Sequence, residues 1–234
     1  MPKIVVAVAL VLAANAEAGD LNQISSLTQG QFLKLSTDLG AASTYKGVTP
    51  ATPLGLAGFD LGAEITQTKL ENTAEFRQAG AGDLDNVYIA KIHVTKGLPF
   101  GFDIGAFVGK VSGIGGSLIG AEARYAILDD GLTTPALAVR LSGSKLFSVS
   151  SVHLSTVAVD AMLSKKLAVV TPYIGAGTVR VNGSADVAGL HGETFNKSRL
   201  FIGMNVNLLV SNFAVEAEKM GDNSSVSAKL GFRF

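Results

Sequence analysis

Alternation of apolar and polar residues at the carboxyl end limits what this 234-residue chain can fold into. In the stretch Asn223 to Phe234, which reads NSSVSAKLGFRF, every second residue from Val226 onward is apolar. The residues between them are serine, lysine, glycine and arginine. Because successive side chains of a β-strand point to opposite faces, this period of two predicts a strand with one apolar and one polar face.

The same alternation recurs from Leu54 onward in ten segments, each near the roughly 9–11 residues with which a tilted strand crosses a bilayer. The connections alternate in length, with long ones at 68–85 and 181–197 and short turns on the opposite side. Outer-membrane barrels have this asymmetry, with short periplasmic turns and longer outer loops. The predicted strands are 56–67, 86–96, 100–111, 117–128, 136–146, 153–164, 168–180, 198–208, 212–220 and 225–234.

A strand that ends on an aromatic residue resembles the closing strand of small Gram-negative outer-membrane β-barrel proteins, the OmpA/OmpX/OmpW-like porin superfamily, without pointing to a subfamily. The resemblance implies an all-β fold: a closed antiparallel transmembrane β-barrel of about ten strands, with eight or twelve fitting less well. It implies that Phe232 and Phe234 form the signal that the barrel-assembly machinery recognises. It also implies that the last strand closes the barrel against the strand near 54–67, in the bacterial outer membrane, in contact with its lipid and lipopolysaccharide.

Composition excludes several other classes of protein. The chain has no cysteine, so disulfide frameworks and thiolate metal sites are excluded, and we expect neither a metal nor a cofactor. Its formal net charge is zero, which gives no support for nucleic-acid binding. Beyond the amino terminus no apolar run reaches the length of about 18 residues that a membrane-spanning helix needs.

The amino-terminal part divides into two segments. Residues 1–18 combine Lys3, an apolar core and Ala16-Glu17-Ala18, which is the pattern of a cleaved signal peptide. Residues 19–53 predict a periplasmic or plug segment with helical character, which ends in a stiff linker at 49–53 before the barrel of 54–234. We expect one helix to start at Asp20 and be interrupted by Gly30, and a second to run from Gln31 to Leu39 and end at Gly40. This segment is expected to plug or cap the periplasmic mouth of the barrel.

The polar faces of the predicted strands carry seven acids and six bases, together with one histidine. Such groups need partners in a narrow lumen, so we expect a charge-paired polar core. A small pore lined by the same groups is the alternative. Specific expectations are a Glu216–Lys229 pair in the last hairpin and an arginine–carboxylate cluster that blocks the lumen. The predicted lumen residues are Asp60, Glu64, Lys91, His93, Asp103, Glu122, Arg124, Arg140, Asp160, Arg199, Glu216, Glu218, Lys229 and Arg233.

The function predicted from these features is non-enzymatic: a structural or surface-interaction role, with loops 68–85 and 181–197 open to an extracellular ligand. One alternative is a narrow passive pore for small solutes. Another is a lipid-modifying hydrolase, since His153 and Ser155 share a strand face as some outer-membrane lipid A deacylases require, although no acid follows on the next strand. Acids at 83, 85 and 222 offer the rim carboxylates of outer-membrane proteases, but no motif places them together.

Overall fold

Ten antiparallel strands form a closed barrel in the computed structural model, which describes residues 21–149 and 151–234. The predicted signal peptide lies outside the described residues. In the described part of the chain, no helix is long and apolar enough to cross a membrane. The strands are β1 (Phe59–Lys69), β2 (Asn86–Gly97), β3 (Phe102–Ser112), β4 (Gly116–Leu128), β5 (Ala136–Val149), β6 (Val152–Ser164), β7 (Val170–Ala185), β8 (Glu193–Leu208), β9 (Ser211–Met220) and β10 (Asn223–Arg233).

The barrel closes where β1 pairs with β10, as predicted. Leu61 lies opposite Phe232 in this pairing. Beyond the last strand, the Phe59 N–H donates to the Phe234 carbonyl at 2.7 Å and the Phe234 N–H donates back at 3.0 Å. Every strand therefore has a neighbour on both sides, which satisfies the demand that lipid places on backbone polar groups.

The two ends of the barrel differ, and we name them by their connections. The loop end carries the connection 70–85, which contains helix α2 (Thr73–Phe76) and a π-helical turn (Arg77–Ala81). The turn end, opposite to it, is where β1 begins and β10 ends. The predicted long loop at 181–197 is wrong: β7 and β8 continue into it, and only residues 186–192 connect them.

The amino-terminal helix α1 (Gln29–Ser43) follows a 3₁₀ turn at Ile24–Ser26. A capping box starts α1, because the Thr28 hydroxyl accepts from the Gln31 N–H while the Gln31 side chain accepts from the Thr28 N–H. The predicted helix boundaries were therefore wrong at both glycines: Gly30 lies in the first turn of α1 and Gly40 lies inside it.

Helix α1 lies inside the barrel at the loop end, whereas the sequence predicted a plug at the mouth nearest the turns. The Gln23 N–H donates to the Ala79 carbonyl in the connection 70–85 at 2.9 Å, and Ser144 Oγ of β5 donates to the Ser43 carbonyl at 2.6 Å. The reason for the difference is the segment 44–53, which is long enough to cross the lumen before β1 begins.

The segment 44–53 runs down the lumen without forming a helix or a strand, and we call it the threaded segment. Near the turn end, its Thr52 N–H donates to Ser164 Oγ at the end of β6, at 3.2 Å. The next residue but one, Leu54, donates its N–H to Asp103 Oδ1 at the start of β3, at 3.1 Å. The chain therefore enters β1 from the turn end after passing through its own barrel.

The apolar face of the strands changes sides along the barrel. Near the turn end, apolar residues such as Ile104 and Ile202 are exposed on the outer face, while charged residues face the lumen. Near the loop end the inner face is apolar, and Phe32, Leu35 and Leu39 of α1 are fully buried against it. The loop-end half therefore has a core like that of a water-soluble protein. Its inner-face residues include Val87, Ile89, Val111, Leu118, Leu146, Leu154, Val179 and Val181.

Candidate functional site in the lumen

All fourteen predicted lumen residues lie on the inner face of the barrel. Thirteen are buried, and the Arg233 side chain is 10% exposed. They do not form one cluster. The structure divides them into groups that contact the threaded segment at successive heights, and the segment adds polar groups that the strand pattern could not reveal.

The group nearest the turn end centres on Asp103. Arg124 donates to one Asp103 carboxylate oxygen from Nη2 at 2.5 Å and from Nε at 3.2 Å. Arg124 Nη1 also donates to the Pro50 carbonyl of the threaded segment at 2.8 Å. One arginine therefore ties β3, β4 and the threaded segment together.

The middle group centres on Asp160, which accepts hydrogen bonds from two arginines. Arg140 Nε lies 2.9 Å from Asp160 Oδ2, and Arg199 Nε lies 2.6 Å from Oδ1. The Phe201 ring lies 5.0 Å from the Arg140 guanidinium carbon and 5.6 Å from that of Arg199. Arg199 Nη1 donates to the Tyr45 carbonyl at 2.7 Å, so this group also holds the threaded segment. Planar guanidinium groups with paired contacts of this kind are rigid.

Lys46 of the threaded segment is the lumen residue that the strand pattern missed. Its ammonium nitrogen lies 3.3 Å from Glu218 Oε1 and donates to the Ala41 carbonyl at 2.8 Å. Alternation found six lumen bases on the strands, and Lys46 is the seventh. The lumen bases then equal in number the seven acids on the strands. One signal was available: Lys46 is the only charged residue between Asp38 and Asp60.

A second carboxylate in the middle of the lumen, Glu64, contacts the two β2 bases that face inward, Lys91 and His93. Lys91 pairs with Glu64, and His93 Nε2 lies 3.2 Å from Glu64 Oε2. Aromatic rings cover this group. The His93 ring stacks on Phe107 with centroids 5.1 Å apart, and Tyr45 packs on both at 5.6 and 5.2 Å. The lumen at this height is filled by side chains in contact.

The predicted Glu216–Lys229 pair is wrong. Glu216 lies opposite Ser227, and it accepts from the Tyr173 hydroxyl at 3.0 Å. Lys229 instead pairs across the barrel closure with Asp60, at 3.0 Å. The physical reason is the turn: Met220 pairs with Asn223, so the two-residue turn is Gly221-Asp222, one residue earlier than expected.

The predicted arginine–carboxylate cluster forms with a different set of partners. Arg124 binds Asp103, as register suggested. Arg140 binds Asp160 more closely than Glu122, whose nearest oxygen lies 3.8 Å from Arg140 Nη1. Gly47 of the threaded segment packs against this pair. A β-carbon at Gly47 would lie 2.4 Å from Arg140 Nη1 and 3.2 Å from Glu122 Oε2, so a larger residue would displace them.

At the loop end, Asp38 of α1 holds the connection 70–85. Its carboxylate accepts from the Glu71 and Asn72 N–H groups at 2.9 and 2.8 Å, and from the Asn223 side chain at 2.8 Å. Burial raises the pKa of the Asp38 carboxyl above its ordinary value, and these hydrogen bonds oppose the rise. Asp38 thus ties the helix, the long connection and the last hairpin together.

Outside the lumen, a groove of about 430 Å³ lies on the outer face near the loop end, across β5 to β8. His153 and Ser155 line this groove. The expectation that His153 has no acid was wrong, because His153 Nε2 lies 2.7 Å from Asp186 Oδ2 in the connection 186–192. That acid is in a loop and not on the next strand, which is why the strand pattern missed it.

The three acids considered for a protease do not come together in a cluster. Asp83 pairs with Arg77 in the connection 70–85 at 2.5 Å, Asp85 precedes β2, and Asp222 is in the last turn. At the barrel closure, the predicted assembly residues Phe232 and Phe234 are exposed on the outer face, at 58% and 67%. Phe234 packs on Phe59 with ring centroids 5.9 Å apart.

The closed barrel and its apolar outer band define the class of this protein: it is a transmembrane β-barrel. No family model and no curated protein matches the chain. The similar solved structures are outer-membrane β-barrels, and they indicate no subfamily. They include the N-terminal barrel domain of Pseudomonas aeruginosa OprF (13% identity, 74% of this chain and 97% of that chain, TM-score 0.38), the KdgM porin (8%, 75% and 99%, 0.38) and LpxR from Salmonella typhimurium (10%, 74% and 100%, 0.40). Because the identities and TM-scores are this low, these similarities say nothing about the activity of this chain.

Proposed function

We propose that this chain is a non-conducting, non-enzymatic protein of the bacterial outer membrane, with a structural or surface-interaction role. In this proposal the loop end faces outward. It carries α1, the connection 70–85 and the connection 186–192, which together form the surface open to an extracellular ligand. Phe232 and Phe234 serve as the signal for the barrel-assembly machinery, and the apolar band contacts the membrane lipid.

The observation that carries this proposal is the threaded segment. It fills the barrel axis, contacts charged groups at three heights and supplies the base that neutralises the lumen. A passive pore needs a continuous path through the same space. The contacts of Gly47 with Arg140 and Glu122 leave no room there even for one added carbon atom.

The test is conductance in planar lipid bilayers. We expect the intact protein to show little or no steady current. A variant that lacks 21–53 should conduct, and an Arg124→Ala, Arg140→Ala double variant should flicker, because the segment loses two of its lateral contacts. A large, steady current from the intact protein, unchanged in the double variant, would refute the proposal and favour the pore.

A hydrolase at the outer groove is a second candidate, and the His153–Asp186 contact favours it. A carboxylate that orients a histidine beside a serine is the arrangement of nucleophilic catalysis. The candidate is weaker, since the His153 and Asp186 side chains are 53% and 72% exposed. Mass spectrometry of the lipid from cells that express wild-type or Ser155→Ala protein decides: loss of an acyl chain with the wild type alone supports a hydrolase, and identical lipid excludes it.

A further inference from the structure

The outer face carries a set of basic residues where the apolar band ends toward the loop end. One basic residue lies on each odd-numbered strand, and all five are exposed. On four of the five strands the next outward residue toward the turn end is apolar or small, as with Val108 beside Lys110 and Ala217 beside Lys219, and on β1 it is Gln67. We call this set the basic girdle. Its members are Lys69, Lys110, Lys145, Arg180 and Lys219.

The strand register places the basic girdle at one height. If each residue is followed to its directly paired neighbour on the next strand, the path from Ala63 through Ile92 reaches Asn182 on β7. The path in the other direction around the barrel, through Leu230, reaches Val170 on the same strand. Because these two end points are twelve residues apart, a full circuit of ten strands shifts the pairing by twelve residues toward the loop end, or about 1.2 residues for each strand. Corrected for this shift, the girdle residues lie within about 2.5 residues of each other, roughly 8 Å along a strand.

The even-numbered strands place hydroxyl groups at the same height. Lys110 Nζ donates to the hydroxyl of Ser117 on the next strand at 2.8 Å, and Lys219 Nζ lies 3.5 Å from Ser224 Oγ. The ring of ten positions therefore alternates a cation with a hydroxyl around the barrel. The five hydroxyl residues are Tyr88, Ser117, Ser155, Ser198 and Ser224.

Nothing on the strands neutralises the basic girdle. Across the ten strands as described, the outward-facing positions include no aspartate or glutamate. In the part of the chain that the structure describes, the one carboxylate within 4 Å of a girdle cation is Glu71 in the connection 70–85, 3.1 Å from Lys69. The lumen, by contrast, pairs six of its seven strand acids with bases, and the seventh, Glu216, accepts from Tyr173. The chain has therefore separated its charges, with balanced pairs inside and unbalanced cations in a ring outside.

At the turn end the boundary of the apolar band has different residues. Phe59, Phe102, Tyr125 and Phe232 lie there on the outer face, and Lys96 is the only outward cation that the described strands place at this end. Lys96 is engaged by the protein itself, because it donates to the Leu56 carbonyl at 2.5 Å. The two boundaries are about eight residues apart, or about 20 Å along the barrel axis at a strand tilt of about 40°. The girdle is thus specific to one leaflet.

We propose that the basic girdle binds the phosphate groups of phosphorylated lipids in the leaflet that surrounds the loop end. Lysine and arginine at the edge of an apolar band hold an anionic head group while the band contacts the acyl chains. The alternating hydroxyls add hydrogen-bond donors to the same phosphate oxygens. The site is a ring of five cations around the barrel, of which Lys69 also contacts Glu71, and it requires neither an open lumen nor a catalytic group.

The experiment compares two variants by native mass spectrometry of lipids that stay bound to the purified barrel. One variant replaces all five girdle residues with glutamine; the matched control is Lys96→Gln. The probes are lipid A with both phosphates and the same lipid without them. We expect wild type and Lys96→Gln to retain the phosphorylated lipid, with a loss of about five-fold in affinity for each girdle cation removed.

Two results would overturn the proposal. One is that the wild type retains the dephosphorylated lipid as well as the phosphorylated lipid, and the other is that the variant with all five girdle residues replaced retains as much phosphorylated lipid as the wild type. Either would mean that the cations only extend their apolar stems along the lipid and place the charge in water. Heat-modifiable mobility on gels checks that each variant is folded. If the variant with five replacements does not fold, the Lys145→Gln, Arg180→Gln double variant is measured instead. Its affinity for the phosphorylated lipid is expected to fall about 25-fold. A result at the wild-type level would again refute the proposal.

Discussion

The ammonium group of Lys46 and the carboxylate of Glu218, 172 positions apart in the sequence, meet at 3.3 Å in the middle of the barrel, with side chains 0% and 2% exposed. Glu218 also lies 3.4 Å from Arg199. The strand β9 therefore supplies an acid whose second partner comes from the threaded segment and not from another strand. This contact ties the threaded segment to the barrel wall, and we expect it to couple folding of the barrel to threading of the segment.

Replacing Lys46 with methionine tests that coupling. Glu218 would keep only Arg199, and removing one partner of a buried ion pair costs about 3–5 kcal/mol. We expect Lys46→Met to unfold at lower urea concentration than the wild type. A Lys46→Met, Glu218→Gln double variant should recover part of the loss, since no uncompensated acid remains. Equal stability of the wild type and Lys46→Met would mean that water reaches Glu218.

Gly47 gives a second test of the filled lumen. In Gly47→Val the added atoms overlap with Arg140, whose position is set by Asp160 and Phe201, and we expect a cost of about 1–3 kcal/mol from overpacking. Gly30→Ala is the matched control, since a β-carbon at Gly30 meets nothing within 4 Å. Thermal unfolding followed by circular dichroism should show a lower midpoint for Gly47→Val alone. A midpoint equal to that of the control would contradict the packing described here.

The strands could be predicted from the sequence because their signal is local. Alternation located all ten, and the apolar terminal residues indicated closure. The two strand ends that were missed, in β7 and β8, lie beyond the apolar band. There the outward residues are polar, as with Asn182 and Ser184, and the inward ones are apolar, as with Val181 and Phe195. The alternation continues through this change, but its sense is inverted.

The path of residues 44–53 could not be predicted, because a segment with neither helical nor strand periodicity carries no local signal of its surroundings. The charges of the lumen offered an indirect one. Seven acids against six bases left one charge unexplained, and Lys46 was the only base between Asp38 and Asp60. The partners within the lumen were also out of reach, since a one-residue error in a turn moves every pair in a hairpin, as it did for Lys229.

The path of the threaded segment predicts that the amino-terminal segment and the loop end are on the same side of the membrane. Ser25 and Asp83 are both exposed at the loop end, while Leu132 is exposed in the connection between β4 and β5 at the turn end. The chain has no cysteine, so single cysteine variants at these positions are specific probes. With a membrane-impermeant maleimide on intact cells, we expect Ser25→Cys and Asp83→Cys to be labelled and Leu132→Cys to be protected. Protection of Ser25→Cys alongside Leu132→Cys would place the amino-terminal segment on the opposite side.

The barrel closure offers the last prediction, through Lys229 and Asp60. Their 3.0 Å contact joins β10 to β1, and both side chains are about 2–3% exposed. Among the described residues, Arg233 is the only other cation within 4 Å of Asp60, at 3.7 Å. We expect Lys229→Met to destabilise the barrel by about 3–5 kcal/mol, since it leaves a buried acid with one distant partner. Asp60→Asn in the Lys229→Met background should restore much of this loss, whereas Glu216→Gln in the same background should not, because Glu216 is bound to Tyr173. Urea unfolding followed by gel mobility measures all four proteins, and the interaction energy follows from the double-mutant cycle. Rescue by Glu216→Gln instead of Asp60→Asn would show that the last hairpin is in a different register.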